Sequence, residues 1–187
     1  MLPLPEVLVT AQGDGAALSN TTTPTSILPT AARAVIAANT LDRIGKRLRI
    51  VATGRISTVV TTPGTLTLDW KIGSVIVASS GAMTLNTTAQ TNVNWRLEWD
   101  LTLRAVGTST SANFMHQGTW TSHAVVGSSA IGTAGAGTQM IPYNAAPAVG
   151  TGFDSTAAAI TDLFATWSVA NASNSITLHQ YDVLLLN

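Results

Sequence analysis

The chain has 187 residues, nine of them Lys or Arg and nine Asp or Glu, so its formal net charge is zero. Only 10% of its residues are charged, against roughly a quarter in an average soluble domain. That balance lacks the electrostatic footprint of a general nucleic-acid binder, and the absence of cysteine excludes disulfide scaffolds, thiolate zinc sites and cysteine nucleophiles.

The length suits one domain with a sizeable core. Apolar residues make up 45% and the mean hydropathy is +0.30, which is unlike a disordered chain. The missing charge is replaced by small neutral residues, 29 Thr, 27 Ala and 15 Ser. Thr favours strands and gives them a polar outer face without charge. Burying such a face against another protein costs far less than burying Lys or Glu.

The first fifteen residues, MLPLPEVLVTAQGDG, carry two early prolines and no basic region, so they do not read as a signal peptide. No run approaches the roughly 18 apolar residues of a membrane helix. The expectation is a soluble chain made in the cytosol, with no membrane partner. Residues 1–40 read as an extended N-terminal arm, with Pro3, Pro5, Pro24 and Pro29 and one short strand near 35–37. The arm has too few apolar residues for a core of its own. It must therefore lie on the body of the domain or on a neighbouring subunit.

From residue 41 the period is two, and residues 41–187 read as a single β-sandwich. In 47–57 Leu48, Ile50, Ala52 and Ile56 alternate with Arg47, Arg49, Thr53 and Arg55. In 65–72 Leu66, Leu68, Trp70 and Ile72 alternate with Thr65, Thr67, Asp69 and Lys71. In 95–104 Trp95, Leu97, Trp99, Leu101 and Leu103 alternate with Arg96, Glu98, Asp100, Thr102 and Arg104. Each is a half-buried antiparallel strand. Weaker strands are expected at 74–80, 112–123, 138–143, 162–170 and 174–186. Turn chemistry separates the strands, and two Gly/Ala-rich loops span 127–137 and 144–153. TAAAITDLF at 156–164 is the best helix candidate, with Asp154 or Ser155 as its N-cap, or else a loop leading into a strand. About eight strands at this spacing predict an all-β, antiparallel two-sheet sandwich of jelly-roll type.

Candidate chemistry is sparse. Arg43, Lys46, Arg47, Arg49 and Arg55 place five of the nine cations within 13 positions. Arg47, Arg49 and Arg55 share one strand face, and Glu98 and Asp100 share the matching face of another. These five are the candidate subunit-interface charges; alternatively the arginines pair across strands with the two carboxylates. Glu98 and Asp100 also have the spacing of a paired-carboxylate glycosidase, but Arg96 and Arg104 flank them on the same face and favour a salt-bridged surface. His116, His123 and His179 form no metal-binding pattern, and G-x-S-x-G is absent. No catalytic residue, metal or cofactor is therefore expected. Trp70, Trp95, Trp99 and Trp167 fall on apolar faces and read as core. Trp120, whose strand alternates weakly, is the candidate glycan contact.

The stretch VIAANTLDRIGKRLRIVATGRIST at 35–58 carries a resemblance. Ala38-Asn39-Thr40-Leu41 leads through Gly45 to a strand at 47–53 that ends on Gly54. In this the chain resembles β-rich structural proteins of tailed bacteriophages, as do its polar lead-in at 13–28 and its closing strand at 175–187. The resemblance implies a virion structural protein with a jelly-roll body, made in the host cytoplasm and placed on the capsid surface. Similar proteins are capsid decoration or cement proteins, often homotrimers bound to the major capsid protein, or head-fibre and tail-fibre domains. The shared motifs are architectural and assign no catalytic residue. The missing long spine helix and basic scaffold segment argue against a major capsid protein. A receptor-binding fibre or spike domain, holding polysaccharide through Trp120 and the loops at 127–137 and 144–153, is the alternative.

Overall fold

The computed structural model describes residues 5–125 and 137–186. Its strands are β1 (Glu6–Thr10), β2 (Leu18–Ser19), β3 (Thr25–Ser26), β4 (Val35–Ile36), β5 (Arg47–Thr58), β6 (Thr65–Ile72) and β7 (Val75–Ser79). They continue as β8 (Met83–Thr84), β9 (Gln90–Ala105), β10 (Asn113–Ser122), β11 (Thr138–Ile141), β12 (Ala159–Trp167) and β13 (Ser175–Leu185). The one helical element among the described residues is a 3-10 turn at Thr30–Ala32.

All pairing is antiparallel, in two sheets. The larger runs β1-β13-β5-β9-β10-β11 with β2 also on β13; the smaller runs β3-β12-β6-β7 with β4 on β12 and β8 on β6. The pairs β1–β13, β3–β12, β5–β9 and β6–β7 join the beginning of the chain to its end and proceed inward. That nested order is what results when one long antiparallel hairpin rolls into two facing sheets, the jelly-roll arrangement. β10 and β11 extend the larger sheet beyond it.

Strict alternation builds the core. Leu48, Ile50, Ala52 and Ile56 of β5, Leu66, Leu68 and Trp70 of β6, and Leu97, Trp99, Leu101 and Leu103 of β9 are fully buried. Two glycines make room for the largest side chains. Gly54 is the cross-strand partner of Trp95, and Gly118 of Trp99. A Cβ on Gly54 would come within 2.8 Å of the Trp95 ring, and one on Gly118 within 2.7 Å of the Trp99 ring. Each indole thus lies over a glycine, covering backbone that would otherwise have no side chain packed on it. Trp70 Nε1 donates to the Tyr181 hydroxyl at 2.8 Å, joining the smaller sheet to the larger through the core. Burial pushes the Tyr181 phenol well above its ordinary pKa.

The N-terminal segment is extended and laid onto its own body. β1 and β2 pair with β13, while β3 and β4 pair with β12. The strand expected near 35–37 is β4. Leu18, Ile27, Leu28 and Ala32 are buried in the common core, which therefore runs continuously across residue 40. Asp162 of β12 pins this segment: it accepts the Ser26 hydroxyl at 2.6 Å and pairs with Arg33 Nε at 3.3 Å.

The helix candidate at 156–164 is a correction. Its residues from Ala159 onward form β12, and Thr161, Leu163, Ala165 and Trp167 bury one face against the core. Pairing with β6 on one side and with β3 and β4 on the other outweighs the helix propensity of three consecutive alanines. Asp154 caps a turn instead, accepting from Thr156 N and Oγ1 and from Ser109 N. Those hydrogen bonds, led by the Thr156 hydroxyl, hold its carboxyl below the usual value.

Ile27 offers a direct test of the docked segment. Ile27→Ala should lower the unfolding free energy by about 2–5 kcal/mol in chemical denaturation, the cost of a buried large-to-small change. A change below about 0.5 kcal/mol would mean that the segment is not part of the core.

Candidate functional site on the outer face of the larger sheet

The β5–β9 register that buries the apolar residues turns their charged neighbours outward. Arg49 stands opposite Asp100, Val51 opposite Glu98 and Thr53 opposite Arg96. Arg49 holds Asp100 in a two-pronged contact, Nε and Nη2 each at 2.9 Å from a carboxylate oxygen. Arg47 approaches the same carboxylate at 3.6 Å, Arg49 reaches Glu98 at 3.7 Å, and Arg96 meets Glu98 at 3.2 Å. The contact with Asp100 raises the Arg49 pKa further. These side chains are one-third to one-half exposed, so solvent screening keeps each pair worth about 0–1 kcal/mol.

Beside this network β10 and β11 present Met115, Gln117, Thr119 and Met140. Together with Arg47, Glu98, Asp100 and Arg104 they border a concavity of about 470 Å³. The backbone of Gly118, between outward-facing Gln117 and Thr119, lies in its floor. The chain from 149 to 153 closes the start of the β10 edge: Val149 bridges Met115, Phe153 bridges Ala112, and Gly150 N donates to Phe114 O at 2.8 Å.

The structure sorts the candidate residues. Arg47 and Arg49 are brought onto Glu98 and Asp100 within one chain, whereas Arg55 lies farther along β5, exposed, opposite Asn94. The two carboxylates are neighbours on one face, both engaged by arginine. Trp120 requires a correction: it is fully buried, and its ring stacks on Trp95 at 4.9 Å and 14°. With one ring face covered by another indole and the whole side chain in the core, it offers no platform to a sugar. Every Trp, Phe and Tyr of the chain lies among the described residues, and each is buried or half-buried. Most of the loop at 127–137 lies outside the described residues.

His116 faces the core and His123 follows the end of the strand, exposed. His179 Nδ1 lies 2.9 Å from Asp14. Among the described residues no three His, Asp or Glu side chains gather as metal ligands. The His116 ring sits edge-on to Trp99 at 6.1 Å, and its Nδ1 has no hydrogen-bond partner among the described residues. Burial lowers its pKa from 6.5. Sequence reasoning passed over Gly118, Met115, Met140 and Arg104 as a group. No local pattern joins them, because they meet only through the pairing of β9, β10 and β11.

No family model matches the chain, and no curated protein matches it. Among solved structures it is similar to the CBM2 module of the evolved Dit of Lactobacillus casei BL23 phage J-1, with 8% identity, 100% of this chain and 98% of that chain covered, and a TM-score of 0.38.

Two outcomes follow from the burial of Trp120 and His116. Trp120→Ala should cost about 3–5 kcal/mol of stability, as a core truncation does; an unchanged denaturation midpoint would contradict its placement. Below pH 6.5 the unfolded chain binds a proton that buried His116 rejects, so stability falls as the pH drops from there towards the lower folded-state value. Urea denaturation at several pH values should show a shallower acid loss for His116→Gln than for the parent. Equal slopes would mean that the imidazole is not buried neutral.

Proposed function

We propose that this chain is a structural protein of a tailed-phage virion, a capsid decoration or cement protein that binds and stabilises the head shell as a homotrimer. The observation that carries the reading is the nested strand order: residues 35–58, which bear the resemblance, supply β4 and β5 of a jelly-roll sandwich. The surface chemistry supports it. Outward positions of the strands are largely Thr, Ser and paired charge, which suits contact with other proteins more than isolation in solvent. A neutral chain has little charge repulsion to oppose self-association. In this reading the chain performs no reaction and requires no cofactor; its work is done by the area it buries on the shell and on its own copies.

The fibre-type alternative, a domain that holds host polysaccharide, has lost the residue that would stack on a pyranose, because Trp120 is in the core. It would depend on hydrogen bonds alone.

Light scattering of the purified chain is expected to return three chain masses. The trimer should co-sediment with heads assembled from the shell protein encoded in the same genome, and appear in their electron-microscopy reconstruction as three-fold density on the surface. A monomer that stays in the supernatant would contradict this function.

A further inference from the structure

We propose that the outer face of the larger sheet docks an acidic segment of another protein, a carboxylate of that segment seated on Arg104 and apolar residues further along it against Met115 and Met140. This rests on reading the chain as an interface protein, and it names the face and the chemistry of its partner.

Charge is segregated although the total is zero. Arg47, Arg49, Arg55, Arg96 and Arg104 project from one face, against Glu98, Asp100 and Asp182. Five cations against three carboxylates leave this face two charges positive, and the rest of the molecule, with six carboxylates and four cations, two charges negative. All charged side chains lie among the described residues, so this balance covers the whole chain. Glu98 and Asp100 are already engaged by Arg47, Arg49 and Arg96. Arg104 is exposed and has no carboxylate within ion-pair distance among the described residues. It borders the concavity of about 470 Å³ at the end of β9. A planar guanidinium can take a carboxylate through two parallel hydrogen bonds, the geometry that Arg49 already makes with Asp100.

The other flank of the concavity carries two methionines, Met115 and Met140, with Gln117 and Thr119 also on it, and Met140 is 57% exposed. Exposed methionines repack around varied side chains, and Arg and Met are enriched where proteins meet. An extended segment that carries a carboxylate and apolar side chains further along satisfies both flanks at once. A glycan would find no exposed ring on this face, and a nucleic acid would find too little net positive charge.

The test uses the whole chain and three probes: a fluorescein-labelled peptide in which Glu alternates with Leu, its Lys-for-Glu counterpart, and a labelled linear maltodextrin. The acidic peptide should raise fluorescence anisotropy, more weakly as salt increases, and shift the amide resonances of Arg104, Met115 and Met140. Arg104→Glu should weaken it by about tenfold or more, since like charges then meet, and Met140→Ala should weaken it less. Arg104→Gln serves if the reversal perturbs folding; thermal melts report this. Equal binding of both peptides, no binding of the acidic one, an unchanged affinity in both Arg104 variants, or maltodextrin binding at these residues would each overturn the proposal. Head binding reads out separately. If it persists in Arg104→Glu, only this docking face fails; if it is absent while the acidic peptide still binds, only the virion function fails.

Discussion

The register between β5 and β9 is the constraint on which the rest of the molecule depends. Side chains on a strand alternate between faces, so a slip of one residue would carry Leu48, Ile50 and Ala52 into solvent and Arg47, Arg49 and Val51 into the core. The penalty for burying two or three guanidinium groups far exceeds any gain from a different pairing. Pairing Ile50 with Trp99 and Arg49 with Asp100 sets the apolar core and the outer ionic network in one step. The ionic pairs add little stability of their own, being well exposed. Their contribution is to agree with the hydrophobic pattern, and that agreement across levels makes one register preferred.

Tryptophan placement follows from the same pairing. Trp95 and Trp99 stand opposite Gly54 and Gly118, and each lies across the bare backbone of its neighbour. Trp95 then provides a ring face for Trp120, so the indoles of β9 and β10 fill the inner surface of the larger sheet. Filling the inside leaves the outside without rings. The outer surface of this sheet is consequently one of arginine, carboxylate, threonine and methionine, chemistry suited to polar and ionic contact with another protein.

The long strands were legible in the residues because each alternates without interruption: 47–57, 65–72 and 95–104 correspond to β5, β6 and β9. Of the two-residue strands in the N-terminal segment, β4 was expected near 35–37 but β2 and β3 were not; those two exist because β13 and β12 offer them a partner, information that lies far away in sequence. The later part of β12 falls in the strand expected at 162–170, while its start was obscured by an alanine run whose local preference is helical and is fixed by pairing with β6 and β4. Trp120 misled because Gly118, Thr119, Thr121 and Ser122 around it blur the alternation that places it inward. The cross-strand pairing of the arginines with Glu98 and Asp100 was readable from matching faces. The methionine flank of the concavity was not, since it depends on β11 and the 149–153 segment arriving beside β10.

The chain is neutral, with its rings inside and its few charges ordered outside, and the β5–β9 register produces that division. Interproton contacts measured by NMR across these strands test it most directly. Backbone contacts are expected between Ile50 and Trp99, between Arg49 and Asp100 and between Ala52 and Leu97. Contacts displaced by one residue, joining Ile50 to Asp100 or to Glu98, would contradict it.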